Sequence, residues 1–217
     1  MARNAFAILV AVLAFGLLGG CGSGSINGPV SVAAGEKTGD VATVNGEVNV
    51  GDRATIGAAK TVNGSVTLGS EVTAQSVRTV NGQVRIGHAS RISEGVKTVN
   101  GSVTLDTNAD VGGGIANVNG EIRLTAARVG GGIRTVGADI EVGAGSHVDG
   151  GIYVEKPTIG VSNETHMPRV VIGPNAIVNG GLTFEHPVTL YISDSAQVNG
   201  PIEGATPQKF SGEQPPN

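Results

Sequence analysis

The chain has 217 residues, with 14 Lys and Arg against 18 Asp and Glu and a formal net charge of −4. That mild acidity argues against nucleic acid as a partner, and a single cysteine excludes any disulfide within the chain. Tryptophan is absent, aromatics make up 3% and glycine reaches 36 residues, which excludes a broad aromatic core and favours a narrow one of Val, Ile, Leu and Ala.

The first expected element is a targeting segment. Arg3 supplies a basic start, and Ala5 to Leu18 runs without a charge. The run is too short for a membrane-spanning helix, which needs about 20 apolar residues, and fits the apolar part of a secretory signal over residues 1–20. Leu18-Gly19-Gly20-Cys21 resembles the bacterial lipobox. That resemblance implies cleavage before Cys21, a diacylglyceryl group on its thiol and an acylated (palmitate-type) amino terminus. Gly22 in place of Asp implies sorting to the outer membrane of a Gram-negative cell. An unpaired thiol in an exported chain calls for a reason, and lipidation supplies one; a plain secretory signal with an incidental cysteine is the alternative. Cleavage leaves thirteen basic against 18 acidic side chains, a net charge of −5. Residues 21–40 then read as the lipidated cysteine and a flexible tether.

From Val41 the chain repeats. Thr43-Val44-Asn45-Gly46 recurs at Thr61, Thr79 and Thr98, with degenerate copies at Asn117 and Thr135, in steps of 18, 18, 19, 19 and 18 residues. Later echoes are Ile177-Val178-Asn179-Gly180 and Gln197-Val198-Asn199-Gly200. Within a copy, Val62, Val66, Leu68, Val72 and Ala74 fall on even steps with polar residues between them, the alternation of a strand buried on one face. A unit of this size cannot bury its apolar side alone but can do so stacked on its neighbours. The expected fold is all-β: a single-stack β-solenoid (parallel β-helix) over 41–204, with coils of about 18–19 residues and the right-handed winding usual for parallel crossovers. About eight coils would make a rod on the order of 40 Å long. Asn45, Asn63, Asn81, Asn100 and Asn119 should share one column as a structural ladder, the Asn-Gly pairs supplying the left-handed backbone of a tight corner.

The repeat Thr61-Val-Asn-Gly-Ser-Val-Thr-Leu68 resembles the adhesin-type β-solenoids of bacterial envelopes. Gly145-Ser-His-Val-Asp-Gly-Gly-Ile-Tyr-Val154 is similar to bactofilins, polymer-forming β-helices. These likenesses imply a structural or interaction role and carry over no catalytic position.

Between Val30 and Lys156 there is no proline, whereas Pro157, Pro168, Pro174, Pro187 and Pro201 follow. The repeat is interrupted near 155–169, an insertion expected to form a surface excursion beside the late aromatics, either a lateral cap or a partner-recognition loop. Residues 205–217 read as a disordered tail.

The four histidines have no metal-ligand spacing, Gly112–Gly114 and Gly130–Gly132 lack the Lys-Ser/Thr of a phosphate loop, and no serine stands in a nucleophile elbow. No enzyme, cofactor or metal is expected. The enzyme alternative, a left-handed β-helix acyltransferase, repeats a hexapeptide three times per coil, whereas Val-Asn-Gly occurs here once. Lys60, Arg78, Lys97, Ala116 and Arg134 precede successive repeats, so in-register stacking would align Lys60, Arg78, Lys97 and Arg134 as a possible anion-binding column. Its charges could hold a linear anion, lipopolysaccharide phosphate or acidic glycan, or they could deter lateral β-pairing. The partners expected are therefore the membrane through the anchor, and further copies of the chain or an envelope polymer or protein.

Overall fold

A computed structural model describes residues 23–157 and 166–216. The signal segment and Cys21 lie outside the described residues, as do residues 158–165 of the insertion. All regular structure among the described residues is β-strand, and no helix is long and apolar enough to cross a membrane.

The strands build three parallel sheets, each lying along one side of a stacked coil. Sheet 1 holds ten strands, starting Ser23–Asn27, Val41–Asn45, Ala58–Lys60, Ser76–Arg78, Val96–Lys97 and ending Ile202–Glu203. Sheet 2 holds ten, from Val30–Val32 to Gln208–Phe210, and sheet 3 seven, from Thr73–Ala74 to Gln197–Val198. Successive circuits through the three give about 9 turns. Strands stacked at about 4.8 Å make a rod about 43 Å long.

The alternation read from the sequence closes the coil at Val66, Leu68, Val72 and Ala74, but Val62 is only half-buried, because Thr61 before it takes the inward place. The first five sheet 2 strands, from Val30–Val32 to Val103–Leu105, bury their outer two residues and turn the middle one out, as in Val66-Thr67-Leu68 and Val84-Arg85-Ile86. Register keeps like above like: Val66 pairs with Val84, Val84 with Val103 and Val103 with Ile122. The core is therefore columns of Val, Ile and Leu, with Leu105, Ile122, Ile133 and Ile152 at 1% exposure or less. Seven strands of sheet 3 shrink to two residues each, because the coil there needs only one inward side chain before it turns.

Two boundaries differ from those read in the sequence. Coiling begins at Ser23, not Val41: Ser23–Asn27 pairs in parallel with Val41–Asn45, and Val30–Val32 with Val48–Val50. The expected tether is thus a first coil, held by the same hydrogen bonds as the rest. The expected disordered tail also carries a strand, Gln208–Phe210, which pairs with Tyr191–Ser193 and buries Phe210. The insertion does fall between coils, since Ile140 pairs with Val170, a step of 30 residues.

At the Asn-Gly corner positive φ falls on glycines alone: Gly28, Gly101 and Gly120 have φ of 135°, 154° and 130°, and none of the ladder asparagines does. A second column of left-handed backbone, not expected from the sequence, follows sheet 2 in Arg53, Glu71, Ala89, Asn108, Ala126 and Asn175, with Gly35 and Gly145 in the same series. The Asn-Gly glycines answer to crowding as well. A Cβ on Gly64 would stand 1.8 Å from the carbonyl oxygen of Gly46 in the coil before.

Two substitutions of opposite sign test this reading. Gly64→Ala should lower stability by about 1–3 kcal/mol, the usual cost of forcing atoms into a packed site. Ala89→Gly should raise it by up to about 1 kcal/mol, since relief of left-handed strain of about 1–2 kcal/mol exceeds the entropy that glycine loses. Thermal unfolding followed by circular dichroism measures both.

Candidate functional site

The corner between sheets 1 and 2 is built from the Thr-Val-Asn-Gly repeat. Thr43, Thr61 and Thr79 point inward, and each hydroxyl donates to a glycine carbonyl of the preceding coil, Gly28, Gly46 and Gly64, at 2.9–3.0 Å. The asparagines point outward and bond up the stack. Nδ2 of Asn45 donates to Oδ1 of Asn27, Asn63 to Asn45, Asn81 to Asn63, Asn100 to Asn81 and Asn119 to Asn100, at 2.9–3.2 Å. Asn27 heads this ladder although sequence reading had assigned it to the tether. The repeat slackens at the 19-residue steps, where Thr98 Oγ1 and Asn117 Oδ1 are buried with no hydrogen-bond partner.

The later echoes belong elsewhere. Val178 and Val198 are sheet 3 residues, so Asn179 and Asn199 form a second, shorter ladder at the corner between sheets 3 and 1, with Asn199 donating to Asn179 at 2.9 Å. A shared Val-Asn-Gly motif concealed two different corners.

On the outer face of sheet 1 the pairings are Lys60 with Arg78, Arg78 with Lys97, Lys97 with Ala116 and Ala116 with Arg134, followed by Tyr153 and Thr183. The four cations stand in one column but in unlike states. Lys60 Nζ is paired with Asp40 at 2.9 Å. Arg134 is paired with Glu155 at 2.7 Å, and its guanidinium lies 5.1 Å from the centroid of the Tyr153 ring. Arg78 and Lys97 have no ion pair among the described residues. Adjacent unit charges about 5 Å apart repel by roughly 0.8 kcal/mol even in water, so the stack tolerates these two rather than using them.

Beside this column runs a second, glycine-lined one: Gly95, Gly114, Gly132, Gly151 and Gly181. A Cβ on Gly114 would meet the Gly132 carbonyl oxygen at 2.7 Å, and one on Gly151 that of Gly181 at 2.3 Å, so stacking demands glycine here. The missing side chains leave a shallow open groove of ≈ 660 Å³ along the rod, walled by Arg78, Lys97, Arg134 and Tyr153. Gly114 and Gly132 close the two glycine triplets noted in the sequence; that they floor a groove beside the cations is visible only with the register in hand.

At the groove's far end Tyr153 donates its hydroxyl to Glu185, which also accepts the backbone N–H of Lys156 at 3.0 Å. The Lys156 bond, then that from Tyr153, hold the Glu185 carboxyl below its ordinary range, and the same contact raises the Tyr153 phenol. His186, in the following coil, bonds the Val136 carbonyl oxygen at 2.8 Å, 50 residues back. His166 lies 3.0 Å from Asp139, whose carboxylate also accepts the Arg169 N–H. Among the described residues no group of three or more His, Cys, Asp or Glu could hold a metal.

Comparison with protein-family models, with curated proteins and with solved structures yields no match.

Two measurements follow from this site. Asn81→Ala removes one ladder bond given and one received, and should cost about 1–2 kcal/mol. Asn81→Asp should cost more at neutral pH, because it sets a carboxylate oxygen against Asn63 Oδ1 with no proton between them. Urea unfolding of the two variants checks the order.

Asp40 accepts the Ala58 N–H and pairs with Lys60, and these contacts lower its pKa from 3.8. Its folded pKa lies below its unfolded one, so its stabilisation is present above about pH 4 and fades as pH falls through the lowered value. Asp40→Asn should therefore cost under about 1 kcal/mol at pH 7, the ceiling for an exposed, solvent-screened pair. The gap to the parent chain should close in acid, as seen in melting curves at several pH values.

Proposed function

We propose that the chain is a non-catalytic lipoprotein of the cell envelope, anchored to the outer membrane through Cys21, whose solenoid is a rigid surface for interaction. The observation that carries this reading is the unbroken in-register stack from Ser23 to Phe210. Such a rod has long side faces and an open groove. The lipobox-like Leu18–Cys21 and the lone cysteine support the anchor. The likeness of residues 61–68 and 145–154 to adhesin-type and bactofilin solenoids supports a binding or scaffolding role, and the absence of a nucleophile beside a base in the sequence supports a non-enzymatic one.

The position of the first coil sharpens the reading. Only residue 22 separates Cys21 from Ser23, a reach of less than about 8 Å. An acylated Cys21 therefore holds the first coil against the bilayer, with the rod leading away from it. Ile26 in that coil is 68% exposed, an apolar side chain suited to the membrane interface. An anchored molecule then has its outer sheet edges, Ser23–Asn27 and Val30–Val32, occupied by the membrane surface, while the last coil stays open. Head-to-tail polymerisation, which needs both ends, is thereby disfavoured.

A second reading has its own observation: the aligned, unpaired Arg78 and Lys97 beside a groove make the chain a binder of an anionic envelope polymer.

Labelling with radioactive palmitate should mark the parent chain and leave Cys21→Ser unmarked. Negative-stain images and sedimentation of the full chain in neutral detergent should show rods of about 43 Å that do not lengthen with concentration. Label retained by Cys21→Ser would remove the anchor, and fibres that grow with concentration would replace the interaction rod with a polymer-forming scaffold.

A further inference from the structure

We infer that the groove on sheet 1 is a binding site for a linear, sparsely charged acidic polysaccharide, with Arg78 and Lys97 as its carboxylate-binding residues. The inference rests on the anion-binding reading above and names the ligand class. The groove extends from Ser76 to Gly181 and crosses six coils, or about 24 Å at the strand spacing. A compact ligand would leave most of that length empty, whereas an extended chain fills it. The rise per residue of an extended β-linked hexose chain is close to one coil, so successive sugars meet successive, similar surfaces.

The floor and the wall each select. The floor is glycine backbone whose C=O groups accept from the neighbouring coil, for example Gly114 O from Val96 N at 3.1 Å and Gly132 O from Ile115 N at 3.0 Å, while the N–H groups of Gly95, Gly114, Gly132, Gly151 and Gly181 donate to no group among the described residues. A pyranose ring can approach this floor closely because no side chain rises from it, and the glycine N–H groups can donate to the oxygens of the sugar. Tyr153 adds an aromatic ring at one end of the wall, its hydroxyl already committed to Glu185.

The wall carries charge thinly. Arg78 and Lys97 are unpaired, Ala116 interrupts the column, and Arg134 is already neutralised by Glu155. Glu94, which accepts a hydrogen bond from Gln75 at 2.8 Å, also lines the groove. A densely charged polyphosphate or phosphate-rich lipid headgroup would be repelled by Glu94 and meet only two free cations. A glycan with an acid on some of its sugars matches both the cations and the uncharged stretch at Ala116.

The test is calorimetric titration of the full chain in neutral detergent with a hyaluronan hexasaccharide (β-linked, with an acid on every second sugar), its carboxyl-reduced neutral counterpart, and polyphosphate. The hyaluronan hexasaccharide should bind, weakening as ionic strength rises through about 0.1 M, where the screening length is about 10 Å. The neutral hexasaccharide and polyphosphate should both bind less well. Arg78→Glu/Lys97→Glu should lose roughly tenfold or more, while Arg91→Glu on exposed sheet 3 should bind as the parent does. Circular dichroism melts confirm that each variant is folded.

A folded parent chain that ignores the hyaluronan hexasaccharide at low salt, or a double variant that binds it undiminished, overturns the inference. Tighter binding of polyphosphate overturns the glycan assignment while leaving an anion site, and equal binding of the neutral sugar removes the role of the two cations. None of these outcomes touches the anchor or the state of assembly, which the palmitate and sedimentation measurements read separately.

Discussion

Every feature of this rod depends on one interaction, the parallel backbone hydrogen bonding that joins each coil to the next at a single spacing. Those bonds fix register, and register turns a residue's place in the repeat into a column along the whole molecule. A side chain that suits its place is repeated with advantage, as with the valine and leucine columns of the core. One that does not is repeated as a liability, as with Arg78 over Lys97. A globular fold can compensate a poor residue with an unrelated neighbour, whereas here the neighbours above and below are copies of the same position. The stability of the rod is accordingly close to a sum over coils and the contacts between them.

The side-chain ladders add to this backbone ladder without replacing it. Each asparagine from Asn45 to Asn100 both donates and accepts, so the chain of amides from Asn27 to Asn119 is satisfied only if the coils beneath are evenly spaced. The inward threonines, bonded to the preceding glycine carbonyls, make the same demand from the other side of the corner. Across the 19-residue steps the asparagine bonds persist, but the inward bond is lost at Thr98, whose hydroxyl oxygen is buried without a partner; Asn117 keeps it through Nδ2 to Gly101 O at 3.1 Å and leaves Oδ1 unpaired. The defect lies where the repeat itself wavers, with Asn standing in for Thr at 117.

The coil length, the inward columns and the Asn corner were legible because each leaves a periodic trace. What escaped did so for identifiable reasons. The first coil carries a degenerate copy of the motif, Ser25-Ile26-Asn27-Gly28, 18 residues before Thr43-Val44-Asn45-Gly46, and Val30 and Val32 alternate as core residues should; it read as a tether because it directly follows the expected cleavage site. The left-handed corner carries Arg53, Glu71, Ala89 and Ala126, none of them a turn former, because surrounding contacts impose a conformation that local preference opposes. The echoes at 177–180 and 197–200 shared letters with the repeat but not phase. The groove left no sequence signal, since its floor is an absence of side chains and its wall is defined only once residues from different coils are stacked.

The groove also shows how a packing requirement can create a surface for recognition. Gly95, Gly114, Gly132 and Gly151 are glycine because the next coil's carbonyl oxygen occupies the space a Cβ would need. That requirement is internal to the stack, yet its outer consequence is a smooth trough with the periodicity of the rod. Adjacent cations gain nothing from packing and cost something by mutual repulsion, so their alignment along the trough is not explained by stability. Lys60 and Arg134 have carboxylate partners supplied by a neighbouring coil, which shows that the fold can neutralise this column. Among the described residues Arg78 and Lys97 keep their charge free at one end of a trough that continues past Arg134 to Gly181, and a ligand carrying carboxylates there would remove the repulsion that the chain alone leaves in place.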